Sequence, residues 1–148
     1  MRSILTVMAI ESIAPEVRTV VEANNPAHVD HFRRAHADEV LVTSRLASRL
    51  LARTALYPGL SELVTDIVSG GVGSELYRVV LPEDWVGLSV DELSARLRAE
   101  HRATLLAVTR EGASVTNPPA DFRLAAGDDA VVVAEGLGGL SPLALQHE

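Results

Sequence analysis

Cysteine is missing altogether. That excludes a disulfide frame, a thiolate zinc site and a cysteine nucleophile, and it agrees with a reducing compartment. Aromatic residues make up 3% of the chain and Trp85 is its single tryptophan, so a core has to be built from Leu, Val, Ile and Ala. Basic residues are outnumbered, 13 Lys and Arg against 20 Asp and Glu, for a net charge of -7. A nucleic-acid partner wants a basic face, and so does an anionic membrane surface; both are disfavoured. No apolar run approaches the roughly 20 residues of a membrane-spanning helix, so no direct membrane insertion is expected. The run from Ile4 to Ile10 is short, and Glu11 interrupts it, which is unlike a secretory leader. Catalytic signatures are absent too. There is no G-x-S-x-G elbow around Ser44, Ser48 or Ser61, no H-E-x-x-H and no P-loop. A G-x-G-x-x-G turn is also lacking. Gly70-Gly71-Val72-Gly73 has neither a preceding strand nor a following helix at the required spacing, so it cannot cradle a pyrophosphate.

What remains is a chain of 148 residues, 47% of them hydrophobic, enough for one domain or two small lobes with a real core. Ser3 to Ser12 follows a helical period, and Pro15 ends it. Arg18 to Ala23 reads as a strand. Asn25 is a good N-cap and Pro26 a good first residue for a helix over 27–35, with Val29 and Phe32 facing inward. Asp38 to Val42 reads as a second strand. Strand, helix and strand in so short a stretch predict a βαβ unit with a parallel pair. Ser44 is expected to cap a helix from Arg45 to Leu56, with Leu46 and Leu50 on one stripe and Arg45, Arg49 and Arg53 on one face. Tyr57-Pro58-Gly59 breaks it. A further helix covers 60–68, and the glycine-rich run 69–74 reads as a hinge and lobe boundary.

Beyond the hinge, 75–81 alternates as a strand. Ser89 and Glu92 form a capping box for a helix to about Glu100, with Leu93 and Leu97 inward. Strands follow at 104–109, at 115–116 and, behind Gly127-Asp128, at Ala130 to Ala134. The order β-α-β-β-β predicts a small α+β lobe, and residues 136–148 read as a mobile tail.

The stretch Pro118-Pro119-Ala120-Asp121-Phe122-Arg123-Leu124, continued by Gly127-Asp128 and the valine strand, resembles the close of the C-terminal lobe of RCK domains, also called TrkA-C. These domains are cytoplasmic regulators of potassium channels and transporters. The segment VVEANNPAHVDHFRRAHADEVL (Val20 to Leu41) resembles the last βαβ portion of their Rossmann-like lobe, with His36 where that pattern usually has glycine. The helices over 44–68 resemble the crossover helices through which RCK domains dimerise. The resemblance covers about Ser3 to Ala134. It implies a partial Rossmann-like lobe over 1–43, crossover helices and hinge over 44–74, a TrkA-C lobe over 75–135 and a tail over 136–148. It places the first residues at the helix before the fifth Rossmann strand, with four strands missing. An unpaired sheet edge is then expected to be covered by a partner, swapped or poorly ordered.

The same resemblance implies a regulator, not an enzyme: a homodimer or larger ring working on a potassium channel pore or a transporter subunit, in the same or another chain. Its interface would use Leu46, Leu50, Leu60, Leu63 and Val64 with the three arginines. The arginines can equally take a nucleotide phosphate, bridge to Glu62 or Asp66 across the dimer, or stay solvated. Glu22 matches an acidic residue of calcium-gated relatives, with Asn24 in place of a second acid, so calcium and adenine nucleotides are the candidate effectors. The plainer reading has Glu22 capping the following helix or pairing with an arginine. His28, Asp30 and His31 can share a metal or form a solvated helix face. His36 and His101 read as isolated polar positions. Asp121, Asp128 and Asp129 are accounted for by turn chemistry, with a cation site as the alternative. Two other classes stay open, a free-standing metabolite sensor that controls a separate transporter and a small Rossmann-type enzyme.

Overall fold

The computed structural model describes residues 2–69, 73–141 and 143–145. It divides into two compact units, Met1–Ser61 and Glu62–His147. The division falls within a helix, ahead of the glycine run, of which 70–72 lie outside the described residues.

In the first unit, α1 (Arg2–Ile13) leads to β1 (Val20–Glu22), a 3-10 turn (Pro26–His28), α2 (Val29–Arg34), β2 (Glu39–Leu41) and α3 (Thr43–Leu56). β1 and β2 pair in parallel, Val21 opposite Val40, so the βαβ unit is as expected. Its core is Val7, Val21, Ala23, Phe32 and Ala35, with Val29 packed against it. The strands are shorter than the sequence suggests because side chains take over at their start. The Asp38 carboxylate accepts the Thr19 amide at 2.7 Å, and the Asp38 amide donates to the Thr19 hydroxyl at 3.2 Å. The Thr19 amide, and the Thr19 hydroxyl that donates to the same carboxylate at 3.1 Å, hold the Asp38 carboxyl below the usual range. Among the described residues no strand covers the outer edge of β1.

Asn25 accepts from the Ala27 amide at 2.9 Å, with Pro26 at the first position, as expected of that pair. At the other end of α2, the amide of His36 donates to Arg33 and that of Ala37 to Phe32, both at 3.1 Å. This is a Schellman ending, and it puts His36 at φ 65°, the position where glycine is free of strain. His36→Gly is therefore expected to stabilise the chain by about 0.5–1 kcal/mol, read as a raised midpoint in urea.

Ser44 does not cap α3. The helix starts at Thr43, two residues earlier than expected, with Val42 at the cap and no side-chain cap bond. The Thr43 hydroxyl donates to Glu22 at 2.6 Å and that of Ser44 to the Asn24 carbonyl at 3.3 Å, so both reach back to the end of β1 instead of the helix's own amides. After Tyr57-Pro58-Gly59, α4 (Leu60–Ser69) follows, and neither α3 nor α4 has a buried residue.

The second unit holds β3 (Glu75–Val80), α5 (Val90–His101), β4 (Thr104–Arg110), β5 (Ala113–Thr116), β6 (Asp129–Ala134), α6 (Leu137–Leu140) and β7 (Ala144–Leu145). The strands form one antiparallel sheet in the order β5-β4-β6-β3-β7. The core packs Leu93 and Leu97 of α5 against Val79, Val108 and Val132 of the sheet, with Trp85 beside them. The capping box of α5 is formed in full, Ser89 amide to Glu92 carboxylate at 2.7 Å and Glu92 amide to Ser89 hydroxyl at 3.3 Å. Glu111 and Gly112, at φ 49° and 79°, make the two-residue hairpin between β4 and β5.

The expected tail over 136–148 is corrected for its described part. α6 folds back, Leu140 and Leu143 are buried in the core, and β7 pairs with Val79 and Val80 of β3. Two leucines that fill the core outweigh the low propensity of a Leu-Gly-Gly-Leu helix.

Candidate functional site

The end of β1 carries Glu22 and Asn24 to the mouths of two clefts of about 540 and 400 Å³, both of which they line. Strand ends of parallel pairs are where open α/β sheets bind ligands. The Glu22 carboxylate accepts the Thr43 hydroxyl through one of its oxygens. His28 and His31 line the smaller cleft with ring centroids 6.2 Å apart; Asp30 does not join them there. No three metal-ligating side chains gather among the described residues. Glu22 and Asn24 offer oxygen donors of the right kind for calcium, but two donors fall short of the roughly six to eight that the ion takes.

α3 and α4 each leave large apolar side chains exposed. Arg45, Arg49 and Arg53 share one exposed face of α3, and a groove of about 580 Å³ runs between Arg49, Ala52, Arg53, Leu56 and Tyr57. Large apolar side chains stand in water here. Leu46 is 59% exposed, Leu51 73%, Leu56 74%, Leu63 54% and Val68 69%. Of the residues expected at the interface, Leu46 and Leu63 are open, while Leu50, Leu60 and Val64 are half-buried.

The third cluster was not legible as such. Arg110 grips Asp128 with two bonds, Nε to Oδ1 at 2.8 Å and a terminal nitrogen to Oδ2 at 2.7 Å. It also donates to the Arg123 carbonyl at 2.8 Å and lies over the Phe122 ring at 4.7 Å. Asp128, fully buried, accepts the Ala125 amide as well at 2.8 Å. The Arg110 guanidinium holds the Asp128 carboxyl below the usual range against the opposing effect of burial. Asp129 pairs with Arg78 at 2.8 Å. Turn chemistry therefore explains only the Ala125 bond. This clamp closes the loop between β5 and β6 and is structural. His101 is not an isolated polar residue; it is buried, with Nδ1 3.0 Å from the Gly139 carbonyl.

No protein-family model matches the chain. It is 23% identical over 126 residues to potassium channel protein 1 of Methanocaldococcus jannaschii, which covers 85% of this chain and 38% of that one. It is 22% identical over 134 residues to the calcium-gated potassium channel TvoK of Thermoplasma volcanium, covering 90% of this chain and 38% of that one. The chain thus spans 38% of the length of each relative. In the solved structure of the human SLO3 gating ring it superposes with a TM-score of 0.74 over 94% of its own length and 30% of that chain, at 15% identity. The fold is that of a gating-ring domain. Its mixed α/β part and small antiparallel sheet are the two architectures expected from the sequence. None of the described helices of this gating-ring fold is long and apolar enough to cross a membrane.

Proposed function

We propose that the chain is an RCK-type regulatory domain of a potassium channel or potassium-uptake system, at the cytoplasmic face of the membrane, with α3 and α4 as its dimer interface. One observation carries the reading: 85–90% of the chain aligns in one continuous order with two potassium channel proteins, on a gating-ring fold. The exposed leucines of α3 and α4 support the dimer, since burying them removes apolar surface that a single copy leaves in water. On α3 the interface would use Leu46 and Leu50 flanked by Arg45, Arg49 and Arg53, and on α4 it would use Leu60, Leu63 and Val64.

The domain works by bias. A ligand that binds one dimer geometry better than another shifts the population toward it, by no more than that difference in affinity, and an attached gate reads the shift. One relative is named a calcium-gated channel, so calcium is the first effector to test and adenine nucleotides the second. Glu22 and Asn24 would supply two of the calcium oxygens.

Far-ultraviolet circular dichroism follows the unfolding of both units, the first of which holds Glu22 and Asn24, while buried Trp85 reports the second alone. A ligand at about one hundred times its dissociation constant stabilises the folded state by about 2.7 kcal/mol. Calcium or an adenine nucleotide is expected to raise the melting temperature accordingly, with Glu22→Gln abolishing a calcium response. No shift with any of them would count against ligand sensing. A pore-forming segment read in frame with this chain would separate the attached regulator from a free-standing sensor.

A further inference from the structure

The first turn of α3 is tied to β1 rather than to itself. The helix opens with no acidic side chain in its first turn and no side-chain cap bond, although Thr43 and Ser44 are both of the kind that caps helices. Their hydroxyls turn to the end of β1 instead. Thr43 donates to Oε1 of Glu22 at 2.6 Å, and Ser44 donates to the Asn24 carbonyl at 3.3 Å. The strand register makes this reach possible, since Glu22 lies opposite Leu41 and α3 begins two residues later. Glu22 and Asn24 are also the two residues that line both clefts. All four residues lie in the first compact unit.

We propose that Thr43 is a positioning residue for the cleft: its hydroxyl orients the Glu22 carboxylate toward a bound cation, and the same bond passes occupancy of the cleft to the start of α3. This rests on the reading of Glu22 as a calcium ligand and adds the residue that orients it and the helix turn that responds. Carboxylates that ligate a metal are themselves held by hydrogen bonds, and the loss of such a partner weakens binding by about 10–100-fold. Thr43 engages one oxygen of Glu22, and a carboxylate has lone pairs enough to accept that bond and ligate an ion as well. The coupling is positive in sign. Glu22 is exposed, so its side chain loses rotamer freedom on making either contact. A cation that fixes the carboxylate leaves less freedom for the Thr43 bond to remove, and the Thr43 bond does the same for the cation.

The test uses the full chain with calcium as the probe and two variants. Thr43→Val keeps the shape of the side chain without its hydroxyl, and Thr43→Ser keeps the hydroxyl. All are titrated by calorimetry at a temperature where far-ultraviolet circular dichroism shows them folded. Thr43→Val is expected to bind calcium about 10–100-fold more weakly than the parent, and Thr43→Ser to bind as the parent does. Amide hydrogen exchange reads the second half of the proposal. The amides of Arg45 and Leu46 close the first turn on the Val42 carbonyl. Calcium is expected to slow their exchange in the parent and in Thr43→Ser, and to lose that effect in Thr43→Val even at saturation. A role confined to stability would lower the urea midpoint of Thr43→Val and leave its calcium affinity unchanged. That result, or a calcium-bound parent in which the two amides exchange no more slowly, overturns the proposal and leaves Glu22 standing as a ligand. A parent that binds no calcium overturns both.

Discussion

Replacing Asp128 with alanine is expected to cost about 3 kcal/mol of folding stability and to lower the melting temperature by about 12–24 °C, for a cooperative unit of this size. The carboxylate is fully buried and accepts three bonds, two from Arg110 and one from the Ala125 amide. Arg110 keeps 42% of its side chain in water, so after the substitution it can rehydrate; this places the cost at the low end for a broken buried pair. Arg110→Met is the harsher change. It strands a buried carboxylate with one amide donor, and it removes the cation from the Phe122 ring.

The two states of this pair also have opposite pH signatures. In the parent the folded Asp128 titrates below its ordinary range. Its contribution is therefore complete above the unfolded pKa of about 3.9 and is lost as the pH falls through the lowered folded value. In Arg110→Met, burial without the guanidinium raises the folded value instead. The loss is then greatest at neutral pH and is relieved on acidification. Urea midpoints of parent and variant across the acid range check both signs; a parent and an Arg110→Met chain with parallel pH profiles would show that the pair contributes nothing specific.

Leu46→Glu together with Leu63→Glu is expected to leave folding within about 0.5 kcal/mol of the parent, because both side chains already stand in water. Dimerisation should weaken by about 100-fold or more, since a charge placed in an apolar contact loses its hydration when the copies meet. Comparing melting curves with concentration-dependent sedimentation separates the two effects. Equal dimer affinity in parent and variant would remove these leucines from the interface.

Much of the fold was legible because it is written locally. Asn25-Pro26 and Ser89-x-x-Glu92 carry their capping geometry within a few residues, and Ala130 to Ala134 can only be a buried strand. What was hidden depends on residues far apart in the chain. Ser44 looks like an ordinary cap until the chain after β1 offers the Asn24 carbonyl, 20 residues earlier, and Thr43 is drawn to Glu22, 21 residues earlier. Arg110 and Asp128 meet across 18 residues, and His101 and Gly139 across 38. The segment after Gly136 shows no period at all; its order comes from where Leu140 and Leu143 land, which no local pattern encodes. His36 lay in plain sight as a departure from glycine, and its φ of 65° gives that departure a physical cost. At the candidate site, Glu22 was identifiable by its place at a strand end, while its Thr43 partner was not.

The most direct test of the account is sedimentation velocity of the chain across the micromolar range, alone, with calcium and with adenine nucleotides. The account predicts a dimer whose affinity or shape changes with one of these ligands. A monomer indifferent to all of them would contradict it.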